Sequence, residues 1–226
     1  MTFSILTFDD KTGVFAAAAA TGSLCVGGWV LRGDIESGLV ASQGTAPSTF
    51  WRDDALRAMY QGQSAQEAVE SVTAPDSGRS YRQLIAMDRQ GTTHGFTGED
   101  SVAFASHITE SGLAVAGNML DGPDVLEAMR FTARAEQSPV DQRMLHVLES
   151  AQQAGGDSRG LMSAALLVLA PDQPPLDLRI DCSDEPISEL KTLWRRARQS
   201  PYFDWLSEVP VKSDKTRAPN KVSCAP

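Results

Sequence analysis

The chain opens MTFSILTFDD, and the residue behind the initiator carries its most distinctive chemistry. Methionine aminopeptidase accepts a small second residue, so Thr2 becomes the first residue wherever Met1 is removed. A free N-terminal threonine combines a hydroxyl nucleophile with its own α-amine as base. With Met1 retained, that nitrogen is acylated and the hydroxyl has no base. Thr2 is then only the residue that leads into the strand-like run Phe3 to Phe8.

Other reactive residue types form no comparable pattern. His94, His107 and His146 share no metal-ligand spacing, and none belongs to an HxxxH or HExxH motif. The three cysteines, Cys25, Cys182 and Cys224, are an odd number without CxxC spacing, which points to reduced thiols and away from a disulfide framework. Cys25 has no histidine nearby in sequence and reads as a small buried hydrophobe. GSLCVGG, around Cys25, has neither the GxGxxG nor the GxxxxGK[ST] spacing of a phosphate loop. No metal and no cofactor is expected.

A net charge of −9 argues against nucleic acid or an anionic membrane as partner, since both demand a basic surface. The apolar stretch Val14 to Val30 follows Asp9 and Asp10, the wrong flank for a signal peptide, and it contains three glycines. It reads as buried sheet. The expected setting is cytoplasmic, with a small-molecule substrate or ligand as partner and homo-oligomer formation left open.

The elements that must position Thr2 follow from periodicity and turn chemistry. FSILTF and VFAAAAAT read as a hairpin around DDKTG. The alanines suit a central strand covered closely by a helix. GLVASQG (Gly38 to Gly44) is a further strand. Helices are expected over Phe50 to Met59 and after SAQE, a capping-box sequence at Ser64 to Glu67. Strands are expected at Arg82 to Asp88, Val102 to His107 and Gly112 to Asn118.

Asp121 to Met129 opens a helix, Ser138 to Asp141 restarts one, and Gly155 and Gly156 end it. Leu161 to Leu169 and Leu176 to Asp181 are neighbouring strands. Pro186 starts a last helix with Ile187, Leu190, Trp194 and Ala197 on one face. The order of blocks indicates a single α+β domain over residues 1–200, with helices layered on antiparallel sheets. Residues 201–226 form a C-terminal extension, whose end carries Lys212, Lys215, Arg217 and Lys221 against Asp214 alone.

Four segments carry a resemblance: TFSI at the start, SQGT (Ser42 to Thr45), AVAGNML (Ala114 to Leu120), and GGDSRG (Gly155 to Gly160) with SAALLV behind it. On these the chain resembles the bacterial domain-of-unknown-function family 1028, grouped with the N-terminal nucleophile (Ntn) hydrolases, from Thr2 to about residue 200. The resemblance implies a four-layer αββα sandwich of two antiparallel sheets. Compared with the proteasome β subunit, Asn118 stands at the strand-to-helix turn where that family has a glycine-flanked serine. Asp157 stands at the helix-to-strand turn where it has an aspartate.

The roles so implied are Thr2 as nucleophile, Asn118 as oxyanion donor, and Asp157 orienting the amine beside Arg159. Arg32, Arg159, Gln43 and Ser23 are substrate-binding candidates. Each has a plainer reading: Asn118 as a left-handed or capping turn residue, Asp157 and Arg159 as a paired glycine-rich turn. Two departures stand out. No lysine lies between Lys11 and Lys191, and Arg32 in its place cannot act as a base, because its guanidinium stays protonated. Thr21 stands where an aspartate is expected. The implied function is an Ntn-type amidohydrolase acting on a small amide or related C–N bond; the alternative is a non-catalytic Ntn-fold protein that binds a metabolite or serves in an assembly.

Overall fold

The computed structural model describes residues 2–156 and 160–219. Strands β1 (Thr2–Asp9) and β2 (Val14–Thr21) lead into a helical turn, α1 (Val26–Trp29), then β3 (Leu31–Asp34) and β4 (Gly38–Gly44). Helices α2 (Thr49–Tyr60) and α3 (Ala65–Thr73) precede four strands: β5 (Arg82–Asp88), β6 (Thr93–Thr97), β7 (Ser106–Glu110) and β8 (Leu113–Asn118). Helices α4 (Asp124–Ala135) and α5 (Val140–Gln153) follow, then β9 (Ser163–Leu169), β10 (Leu176–Ile180), α6 (Pro186–Arg196) and α7 (Tyr202–Trp205).

The strands form two antiparallel sheets, one ordered β10-β9-β2-β1-β8-β7 and the other β3-β4-β5-β6. The β1–β2 hairpin closes through Asp9, whose carboxylate accepts from the Lys11 amide at 3.0 Å while its carbonyl accepts from the Gly13 amide at 2.8 Å. Ser64 caps α3 in the reciprocal box with Glu67 that its spacing predicts.

Alternation along β1 separates two cores. Phe3 and Ile5 join a cluster with Val125, Met129, Met144 and Leu148 of α4 and α5. Leu6 belongs to a cluster with Leu39 and Ala41 of β4 and Ile85 and Met87 of β5, between the sheets. A third cluster packs Trp51, Ala55 and Met59 of α2 and Val69 of α3 on Val40, Leu84 and Ala86. In β2, Ala16, Ala18 and Ala20 face the helices, while Ala17 and Ala19 face the other sheet. Small side chains on both faces let a helix and a sheet close on one strand.

Four segments differ from the sequence expectation. The run Val14 to Val30, read as sheet throughout, breaks after Thr21 and turns into α1, with Cys25 in the left-handed region at φ 60°. β3 and β6 were not anticipated. Both are short, contain a glycine, and have half-buried residues without a clean two-residue alternation. The strand expected at Val102 to His107 starts at Ser106 instead, because Phe104 exchanges backbone hydrogen bonds with Leu120 beyond the end of β8. The extension also touches the body: Val211 is buried, and the Ser213 amide donates to the Pro171 carbonyl at 2.9 Å.

Ala18→Leu adds three heavy atoms to a site with no room on its helix-facing side. It is expected to destabilise the protein by about 1–3 kcal/mol in urea titrations, whereas a replacement at exposed Gln66 on α3 should cost far less.

Candidate functional site

The inter-sheet face of the larger sheet ends in a polar row. Thr21 pairs in register with Ser163 of β9 on one side and with Thr2 of β1 on the other, and Thr2 pairs with Asn118 of β8. Residues directly opposite across antiparallel strands project to the same face, so four neighbouring strands present a serine, two threonines and an asparagine side by side. The Thr2 and Thr21 hydroxyls are 3.0 Å apart. The Ser163 hydroxyl donates to the Ser23 carbonyl at 2.7 Å and accepts from the Val26 amide at 3.0 Å, which pins the turn into α1 beside the row.

Thr2 and Thr21 open onto a cleft of about 420 Å³ whose walls include Ser23, Trp29, Gln43 and Thr45. That volume suits a small molecule. Trp29 is half-exposed at its rim, and the described residues lining it include no ionisable side chain. Asn118 closes β8 at 2% exposure, and its side-chain nitrogen has no hydrogen-bond partner among the described residues. The left-handed backbone in this turn belongs to Met119, at φ 58°, and Asn118 itself keeps the strand conformation.

Behind the row, polar groups continue into the apolar interior. Gln43 accepts from the Ser4 hydroxyl at 2.7 Å, and its amide nitrogen donates to the Thr2 carbonyl at 3.3 Å and to the Gln83 carbonyl oxygen at 2.7 Å. Gln83 in turn donates to Thr97, 2.8 Å away, and to the backbone carbonyls of Ser106 and Gly117. The Thr97 hydroxyl lies 2.8 Å from Nδ1 of His107. Burial pulls the His107 pKa below its usual range, and the neighbouring His94 pulls it in the same direction.

Residues 2–190 match the model of a family described as a family of unknown function (DUF1028). The chain belongs to that family. A crystal structure of protein SPO2555 from Silicibacter pomeroyi, a DUF1028 protein, is 47% identical to it with a TM-score of 0.92, and the match covers 97% of this chain and 99% of that one. Among curated proteins none matches the chain.

Within this DUF1028 chain, three of the residues singled out from the sequence, Thr2, Ser23 and Gln43, line one cleft, and Asn118 is the cross-strand neighbour of Thr2. Arg32 lies elsewhere. It sits on β3 in a small separate cavity with Asp177 and Arg179, its guanidinium 3.8 Å from the Asp53 carboxylate. Asp157 and Arg159 lie outside the described residues. Among the described residues no group of three or more His, Cys, Asp or Glu side chains is arranged to hold a metal ion, and no helix is long and apolar enough to cross a membrane.

Sequence reasoning did not single out Ser163, Gln83 and Thr97, and it considered His107 only as a metal ligand and Thr21 only as a missing aspartate. A signal was present at Gln43 and Gln83: each stands beside the apolar middle of a strand, and a polar group buried there must find a partner.

The lowered His107 pKa has a definite sign. As pH falls below the ordinary value of 6.5, the unfolded chain takes up the proton before the folded one does, so stability declines from there down to the folded pKa. His107→Asn retains an acceptor for Thr97 but does not titrate. Urea titrations between about pH 8 and pH 5 should show a shallower loss of stability in this variant than in wild type.

Proposed function

We propose that the protein is an Ntn-type amidohydrolase acting on a small amide or related C–N bond, with Thr2 as nucleophile once Met1 is removed. The observation that carries this reading is the position of the Thr2 hydroxyl: at the head of a central strand, facing a cleft, between the Thr21 hydroxyl and a buried asparagine whose amide nitrogen has no partner among the described residues. Helices α4 to α6 against one sheet and α2 and α3 against the other support reading the fold as the αββα sandwich of Ntn hydrolases.

In this reaction the freed α-amine takes the proton of the Thr2 hydroxyl as Oγ1 attacks the substrate carbonyl carbon. The Asn118 amide and backbone N–H groups hold the negative charge on the tetrahedral oxygen. Collapse breaks the C–N bond, and the ammonium returns its proton to the leaving nitrogen. A water then attacks the ester on Thr2, the amine takes a proton from it, and the acid departs as the threonine hydroxyl is restored. A cleft without charged walls among the described residues suits an uncharged amide. The same neutrality favours a second reading, a non-catalytic protein that binds a neutral metabolite in this cleft.

The test is an amide-hydrolase screen of wild type, Thr2→Ala and Thr2→Ser, all of which keep a small residue behind Met1. Thr2→Ala should abolish turnover while changing stability by no more than about 1 kcal/mol, since it removes one hydroxyl pair at a strand end. Thr2→Ser should retain part of the rate. Full activity in Thr2→Ala would exclude Thr2 as nucleophile. A neutral amide that wild-type protein lacking Met1 binds but never cleaves would support the binding reading.

A further inference from the structure

The polar series behind Thr2 runs in one direction. Gln83 is wholly buried and Gln43 is 1% exposed. The groups that each amide nitrogen faces fix its orientation: backbone carbonyls accept only, so the end of Gln83 beside Ser106 and Gly117 is its NH2, as is the end of Gln43 beside Thr2. Gln83 therefore offers its carbonyl oxygen to Gln43, and its two hydrogens are shared among Thr97, at 2.8 Å the nearest acceptor, and the two backbone carbonyls. Accepting from Gln83 on one lone pair, the Thr97 hydroxyl has its own hydrogen available for Nδ1 of His107, 2.8 Å away, which would continue the series in the same direction. A ring nitrogen that accepts is unprotonated, which leaves the proton on Nε2.

We infer that Gln83 is a positioning residue: through Gln43 it holds the Thr2 carbonyl, and through Thr97 it holds His107 as the neutral Nε2–H tautomer. The two ends of the series open on different clefts. Thr2 and Gln43 line the first, and Thr97 and His107 line a second of about 420 Å³ with Ser101 and Ser106. The ring of His107 rests on Gly95, where a Cβ would lie 2.4 Å from its Cδ2, so the imidazole has a fixed seat. The titratable groups around it are His94 on β6 and Glu99 in the second cleft. The role of Gln83 toward Thr2 in turnover rests on the amidohydrolase reading; its role toward His107 does not.

Long-range proton–nitrogen spectra of labelled protein near pH 8 read the tautomer directly. Wild type should show His107 with Nε2 protonated and Nδ1 bare. Gln83→Met takes away the donor that orients the Thr97 hydroxyl and should yield both tautomers. It should also shift the Thr2 carbonyl carbon resonance. Thr97→Val removes one hydroxyl with little change of shape; it should relax the tautomer and leave the Thr2 carbonyl resonance unchanged, and it serves if Gln83→Met does not fold.

On an amide that wild type cleaves, Gln83→Met should lower kcat by about ten- to a hundredfold with KM little changed. A wild-type His107 protonated on Nδ1, or a tautomer that neither variant moves, would overturn the inference. A relaxed tautomer with unchanged kcat would overturn the role toward Thr2. Absence of turnover in wild type counts against the amidohydrolase reading, and the tautomer and the Thr2 resonance then decide the role of Gln83.

Discussion

Two buried glutamines bridge the sheets, and the geometry around Thr2 depends on them. Gln43 of β4 and Gln83 of β5 belong to the four-stranded sheet, yet between them they bond Thr2, Ser4, Ser106 and Gly117 of the other. The rest of the space between the sheets is filled by apolar side chains, many of them alanine. Apolar packing fixes how close two sheets lie but leaves them free to slide, whereas an amide must meet its partners at a set place. Losing one partner of such a buried group costs about 1–3 kcal/mol, enough to lock the register of the sheets beside the polar row.

The alanines and the glutamines act together. Ala17, Ala19, Ala114 and Ala116 keep the inter-sheet face of β2 and β8 low, so a glutamine side chain from one sheet can reach the backbone of the other. Where the small residues end, the polar row begins: Thr21 follows the alanines of β2, and Asn118 follows Ala116 and Gly117 of β8. The cleft is therefore a consequence of composition along the strands: apolar and small in the middle, hydroxyl and amide at one end, with Trp29 of α1 at its rim.

Much of the frame was legible from sequence, for reasons that are local. β4 and β5 have the bounds read from their apolar runs, and the Ser64 cap follows from a four-residue spacing. β3 and β6 escaped because short, half-buried, glycine-containing strands carry no periodic signal. The cross-strand pairing of Thr2 with Asn118 is a matter of register between segments more than a hundred residues apart, and no local pattern encodes it; family resemblance, not periodicity, brought Asn118 forward. Arg32 came forward from the same comparison, as a cation in place of a missing lysine, but it lies on the unanticipated β3 and its side chain stands beside Asp53 in a separate cavity.

Whether Thr2 carries a free amine decides between a nucleophile and an ordinary strand residue, because the described lining of its cleft contains no other base. The intact mass of untagged protein, expressed from its own start codon and assayed for amide cleavage in the same preparation, reads this directly. The expected result is a single species lacking Met1 that turns over an amide. Protein that keeps Met1 throughout and still cleaves its substrate would contradict the assignment of Thr2.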